Sequence, residues 1–115
     1  MYRILSLLLL MLCLTQACKI HSTTYIDPEK SFVLGEGTHS KYKAEVKNIG
    51  NTVIEVINVE EGGNEALLTV LKAGDKGIYA VKKNATVIFK NKSVEKTGTI
   101  QIKISGDSNL SMDYK

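Results

Sequence analysis

The chain has no tryptophan, one proline and, beyond Arg3, no arginine. Every later basic residue is therefore a lysine. A protein that grips nucleic acid relies on a basic stripe, on arginine for bidentate contacts to guanine or phosphate, and on aromatic rings for stacking. Aromatics make up 6% of this chain, and charges of both signs are interspersed under a net charge of +3. Nucleic-acid binding is not expected from that combination. Cysteine is scarce too: Cys13 and Cys18 are the two present, both near the N-terminus. Cys13 lies inside an apolar run that processing would remove. Cys18 is then alone, which excludes an intrachain disulfide or a cysteine-based metal site. A domain without such staples holds together by core burial alone.

What the N-terminus does have is a leader. Met1 to Ala17 reads MYRILSLLLLMLCLTQA. Arg3 supplies a positive start, and Ile4 to Leu14 is an apolar run of the length a signal peptide uses, about 7–15 residues. It is short for a bilayer span, which takes about 20 apolar residues. Thr15, Gln16 and Ala17 break the run just before Cys18. A small residue directly before a cysteine, after a leucine-rich stretch, resembles the lipobox of bacterial lipoproteins. Ala17 and Cys18 carry the likeness, while Thr15 and Gln16 stand where that motif usually has leucine and a small residue. The resemblance implies cleavage after Ala17, lipid attachment at Cys18, and a protein held at a bacterial cell envelope by its acyl chains. Each buried methylene contributes about 0.8 kcal/mol, so two or three chains suffice to fix a domain to a membrane. Ordinary signal-peptidase cleavage would cut the same bond and leave Cys18 unmodified. An uncleaved anchor is the remaining alternative.

Lys19 to Ser40 contains the one proline, Pro28, with serine, threonine, glycine and charged residues. It reads as a tether between lipid and fold, with Ser31 to Leu34 apolar enough for a short first strand. From Lys41 the period is two. Tyr42, Ala44 and Val46 alternate with Lys41, Lys43, Glu45 and Lys47, and Gly98, Ile100, Ile102 and Ile104 alternate with Thr99, Gln101 and Lys103. Leu110, Met112 and Tyr114 repeat the pattern. Such alternation predicts strands with one apolar face. Thr52 to Val59 is apolar on nearly every position, which predicts a central strand covered on both sides. Leu67 to Leu71, Ile78 to Val81 and Ala85 to Phe89 complete about seven strands, spaced as in a sandwich or small barrel. Between them sit turn residues: Asn48 to Asn51, Glu61 to Asn64, Ala73 to Asp75, Lys82 to Asn84 and Ser105 to Asp107.

The order of these signals resembles the immunoglobulin-like modules of bacterial surface proteins. The likeness runs from Tyr42 to about Lys103 and rests on Val46-Lys47-Asn48-x-Gly50, Val53-x-x-Val56 and Leu71-x-Ala73-Gly74-Asp75. It implies a small all-β antiparallel sandwich of immunoglobulin type, used for adhesion, spacing or scaffolding. The expected organisation is a signal peptide over 1–17, lipid-attachment Cys18 and tether over 18–40, and the sandwich over 41–115.

Residues able to do chemistry are few. His21 sits in the tether and His39 just ahead of the first clear strand, so both are expected to be solvated or loosely packed. A metal would need further converging ligands. His39 beside Ser40 lacks a nucleophile elbow and an orienting acid. Glu60 and Glu61 are neighbours, which point to opposite faces of a strand rather than across a cleft. Gly74-Asp75-Lys76-Gly77 has no helix behind it to bind phosphate, and reads as a hairpin loop. Asn84-Ala85-Thr86, Asn91-Lys92-Ser93 and Asn109-Leu110-Ser111 match the glycosylation triplet, which carries no meaning in a bacterial lipoprotein. Tyr42, Tyr79 and Tyr114 are expected at the rim of a small core, hydroxyls to water.

The function expected is that of a non-enzymatic, lipid-anchored envelope module with no catalytic, cofactor or metal site. It would meet the membrane through its lipid, at the outer membrane or cell surface rather than the inner membrane, and bind a protein or glycan. The alternative is an envelope inhibitor or accessory subunit that binds a partner protein by strand-edge pairing. Intact-mass measurement of membrane-extracted protein is expected to show acyl mass and detergent partitioning. Both should vanish in Cys18→Ser. Soluble wild type beginning at an unmodified Cys18 would end the anchor reading.

Overall fold

The computed structural model describes residues 19–106 and 109–115. The expected signal peptide over 1–17 and the expected lipid-attachment residue Cys18 lie outside the described residues. Nine strands follow in order: β1 Lys19–Ile26, β2 Ser31–Leu34, β3 Tyr42–Asn48, β4 Ile54–Val59, β5 Glu65–Leu71, β6 Lys76–Val81, β7 Thr86–Asn91, β8 Gly98–Gly106 and β9 Met112–Tyr114. They form two antiparallel sheets, ordered β1-β8-β3-β6 and β5-β4-β7-β2-β9. Among the described residues, no helix is long and apolar enough to cross a membrane.

The small all-β sandwich expected from the alternation is what forms. β3 and β8 bury every second residue, and Ile100, Ile102 and Ile104 are at most 1% exposed. Opposite them stand Phe32, Leu34, Ile54, Val56, Val87 and Phe89 from the second sheet, and together these residues make one core. Phe89, fully buried, stacks on Phe32 at 6.3 Å between ring centroids. Burying a side chain of this size stabilises by roughly 1.5–3 kcal/mol, so the alternating face is the main source of stability.

The strand order departs from the immunoglobulin arrangement. β1 pairs with β8, β2 with β7, β3 with β6 and β4 with β5. This is one long hairpin of four-strand arms, rolled up so that β3 meets β8 and β4 meets β7. Such winding is the double Greek key of a jelly roll, with β9 added beside β2. An immunoglobulin sandwich places its first two strands side by side. Here β1 and β2 lie in different sheets.

The expected tether over 18–40 is corrected for the same reason. β1 is paired along its whole length, from Lys19 opposite Ser105 to Ile26 opposite Gly98, and β2 sits between β7 and β9. Thr24 and Ile26 are buried, as are Phe32, Val33 and Leu34. Mixed polar composition concealed β1 because its outward face carries His21, Thr23 and Tyr25 while Ile20 and Ile26 do the packing. The Gly74-Asp75 loop is also not a hairpin. It carries the chain from β5 in one sheet to β6 in the other.

Four connections change sheet at one end of the roll: β1–β2, β3–β4, β5–β6 and β7–β8. Two asparagines with no exposed surface organise all four. Asn48 Nδ2 donates to Thr52 O at 2.6 Å and to Leu71 O at 3.0 Å, while its Oδ1 accepts from Gly50 N at 3.1 Å. Its main chain holds the β5–β6 corner, accepting from Gly74 N and donating to Asp75 O. Asn91 Nδ2 donates to Ile26 O at 2.9 Å and Lys96 O at 2.8 Å, and its Oδ1 accepts from Ser93 N at 3.0 Å. Each amide thus bonds a carbonyl of the opposite sheet. Gly98 lies between these groups; a Cβ there would sit 2.8 Å from Thr52 Oγ1 and 2.9 Å from Ile54 Cδ1.

At the other end His39 and Asn84 join the β2–β3 and β6–β7 connections. His39 N donates to Asn84 Oδ1 at 2.9 Å, and Asn84 N donates to His39 O at 3.2 Å. Asn84 adopts φ +60°, a conformation asparagine tolerates better than most residues.

Asn91→Ala is expected to lower unfolding free energy by at least about 2 kcal/mol, because several buried main-chain groups lose their partner at once. Asn91→Asp turns a donor into a charged acceptor facing carbonyls, which raises its folded pKa above the unfolded one. Its stability should be poorest above the folded pKa and partly return as pH falls through it. Denaturant unfolding at acidic and neutral pH checks both.

Candidate functional site

His39 is not solvated. It is 6% exposed, with Nε2 2.7 Å from Ala85 O and Nδ1 2.7 Å from Ser40 O. A neutral imidazole has one N–H to donate and an imidazolium has two. Its ring meets the Tyr42 ring edge-on at 5.3 Å. The ring thus contacts the Ser40 carbonyl and fastens loop to turn. Tyr42 and Tyr79 are buried to 4% and 7% exposure, and among the described residues their hydroxyls have no hydrogen-bond partner, contrary to the expectation of hydroxyls at water. Burial pushes the Tyr42 phenol well above its ordinary pKa. Tyr114 is 58% exposed and packs on Phe32 at 5.4 Å.

Glu60 and Glu61 cap the β4–β5 turn, where Glu60 N donates to Asn64 O and Glu61 Oε1 accepts from Asn84 Nδ2 at 3.1 Å. The amides of Asn84 and Asn91, each in a glycosylation-like triplet, are occupied by these internal bonds. Among the described residues, no three of histidine, cysteine, aspartate and glutamate converge to hold a metal ion.

What the register does bring together is lysine. On the outer face of the β1-β8-β3-β6 sheet, His21 stands opposite Lys103, Lys103 opposite Glu45, and Glu45 opposite Ile78. The next row holds Thr23, Gln101, Lys47 and Lys76, and the row on the other side holds Ser105, Lys43 and Ala80. Lys43, Lys47, Lys76 and Lys103 are all exposed. The one carboxylate among them, Glu45, is ion-paired with Lys76. A trough of about 350 Å³ runs over this face, lined by His21, Lys43, Glu45 and Lys103 among others. A second of about 220 Å³ lies between Lys47, Lys76 and Lys103. Where β3, β6 and β8 end, a more apolar groove of about 520 Å³ is rimmed by Lys41, Lys43 and Lys82.

The geometry is that of an open, pleated, cationic surface. Amide and hydroxyl groups of Gln101, Thr23 and Ser105 lie between its charges, and Tyr25, 63% exposed, stands at one corner. Such a surface attracts anions, with a strength that falls as salt screens it. Local spacing showed Lys41, Lys43 and Lys47 on one side of β3. It could not show that Lys76 and Lys103 join them, because that depends on pairing with strands far along the chain.

The opposite sheet differs. Its outer face carries Ile57, Val59 and Ile88, half-buried, and edge strand β5 adds Leu67 and Val70, which are exposed. The apolar run Thr52 to Val59 was expected to be covered on both sides, and this face corrects that: Ile54 and Val56 are fully buried in the core while Ile57 and Val59 look outward.

No protein-family model matches the sequence, and no curated protein does. Among solved structures, the mitogen of Yersinia pseudotuberculosis is similar at a TM-score of 0.46 and 14% identity, over 81% of this chain and 93% of that one. The CspB protease of Clostridium perfringens is similar at a TM-score of 0.30 and 11% identity, over 82% of this chain and 23% of that one. Neither likeness is close enough to carry a function to this chain.

Proposed function

We propose that the chain is a non-enzymatic, lipid-anchored module of the bacterial cell envelope that binds an anionic glycan on the lysine-bearing outer face of its β1-β8-β3-β6 sheet. The leader and Cys18 support the anchor. The observation that carries the binding role is the alignment of Lys43, Lys47, Lys76 and Lys103 across three strands, with their one carboxylate held by Lys76. A glycan strand can lie along a flat sheet, and the intervening hydroxyl and amide groups offer it hydrogen bonds.

The anchor bears on how this face is presented. β1 begins one residue after Cys18 and is paired from that first residue. An acylated Cys18 would therefore hold the domain against the lipid with almost no slack. The groove rimmed by Lys41, Lys43 and Lys82 lies at the same end of the sheet as Lys19 and Ser105, so it would stand nearest the headgroups. Each lysine close to an anionic membrane surface contributes about 1 kcal/mol.

The test is retention on an immobilised sulfated polysaccharide against a neutral dextran, across a salt gradient. Wild type should be retained on the first alone and elute as salt rises. A Lys43→Glu, Lys47→Glu, Lys103→Glu variant should bind roughly threefold to a hundredfold more weakly, taking about 0.2–1 kcal/mol for each exposed pair. All three side chains point to solvent, so its unfolding transition should stay close to wild type. Equal retention of wild type and variant would exclude this face.

A further inference from the structure

The β5 edge is long, apolar and lightly guarded. Among the described residues β5 pairs with β4 on one side and with no strand on the other. Sheet edges in monomeric proteins are commonly short or bulged, or carry lysine, proline or inward charge, to prevent pairing with another chain. β5 carries a bulge at Leu68 but is seven residues long, with no lysine, proline or inward charge: it reads Glu-Ala-Leu-Leu-Thr-Val-Leu. Leu67, Leu68 and Val70 are 57%, 43% and 40% exposed. The other outermost strand of this sheet, β9, is three residues long.

The one irregularity in β5 gives it a specific symmetry. Thr69 stands opposite Val56 and Leu67 opposite Ile57, so Leu68 is an extra residue that shifts the register. Side chains alternate between faces along a regular strand, which would put residues 67 and 70 on opposite sides. The extra residue removes that conflict. Glu65, Leu67 and Val70 are opposite Val59, Ile57 and Glu55 on the outer face, while Ala66 and Leu71 are opposite Asn58 and Ile54 on the inner one. Lys72 follows Leu71 and is exposed.

We infer that β5 is a homodimerisation edge, whose partner is β5 of a second copy of this chain, antiparallel, about a two-fold axis between Leu68 and Thr69. In that register Glu65 lies opposite Lys72 of the other copy, Ala66 opposite Leu71, and Leu67 opposite Val70. Outer residues meet outer residues and inner meet inner. The two terminal charges form two opposite-sign pairs, and exposed leucine covers exposed valine twice. At the centre Leu68 of each strand stands opposite Thr69 of the other, and because both strands carry the extra residue, the shift that interrupts β4–β5 pairing leaves the two β5 strands equal in length. The interface is isologous and closed. It joins the two β5-β4-β7-β2-β9 sheets into one and leaves both lysine faces open, so it requires neither the anchor nor a glycan.

Sedimentation equilibrium of the protein as purified from membranes, in density-matched detergent, tests this. Wild type should show a monomer–dimer equilibrium with a Kd on the order of micromolar, as suits a small interface. Glu65→Lys places lysine opposite lysine twice, and Lys72→Glu places glutamate opposite glutamate twice. Each should weaken the dimer about tenfold or more. The double variant E65K/K72E restores both pairs with their signs exchanged and should recover the wild-type Kd to within about threefold. Both residues are exposed, and recovery in the double variant excludes misfolding as the cause of the single losses. A monomer at about a hundredfold above that concentration would overturn the inference. So would a dimer indifferent to either reversal, or a double variant no better than the single ones. Loss of polysaccharide retention with the dimer intact would count against the lysine face alone.

Discussion

Two buried side-chain amides hold the sandwich at the end where the chain must change sheets. Burial of alternating apolar residues drives the sheets together, yet it is non-directional and would tolerate several strand orders. The four sheet-changing corners at this end each expose main-chain groups that the core cannot satisfy. Asn48 and Asn91 satisfy them, and each reaches across to a carbonyl of the facing sheet. Each Nδ2 donates to at least two carbonyls and each Oδ1 accepts a main-chain N–H, so their burial is compatible with stability and selective for one winding.

That constraint places the N-terminal stretch inside the fold. Asn91 fixes Ile26, the last residue of β1, and its main chain donates to Lys30 O, just before β2 begins. Glu29 N donates to Ser93 O beside it. With β1 locked against β8, the first sheet gains its fourth strand and its outer face becomes a broad surface. Lysines of β3, β6 and β8, brought together by the β3–β6 and β3–β8 pairings, are then flanked by the polar residues of β1. The same locking leaves no free linker between Cys18 and the first pair of the ladder. The breadth of the cationic face is thus a consequence of one corner.

The parts of this arrangement that were legible in the sequence are those set by local periodicity. Ile100, Ile102 and Ile104 announced a strand with one buried face, and Tyr42, Ala44 and Val46 announced its neighbour. Turn residues marked most of the corners. β1 was not legible, because Lys19 to Tyr25 offers too few apolar residues for alternation to stand out; its place is set by pairing with residues some eighty positions away. Asn91 looked like part of a glycosylation triplet and Asn48 like a turn residue. Neither spacing reveals that the side chain bonds the opposite sheet. His39 was likewise read as loosely packed, since nothing nearby in sequence shows that Ala85 supplies its carbonyl. The lysine face was half visible on β3 and otherwise hidden in long-range register. The apolar Thr52 to Val59 run misled in another way, since a continuous hydrophobic strand can bury one face in the core and leave the other half-exposed at the surface of its sheet.

The central claim is that residues 19–34 are integral strands of the sandwich, locked at the Asn91 corner. Native-state hydrogen exchange at the amides of β1 and β2 tests it most directly. The account predicts that ladder-bonded amides in these two strands exchange as slowly as those in β8, opening with the global unfolding free energy. Exchange at unprotected-chain rates throughout residues 19–34, with β3 and β8 still protected, would contradict it.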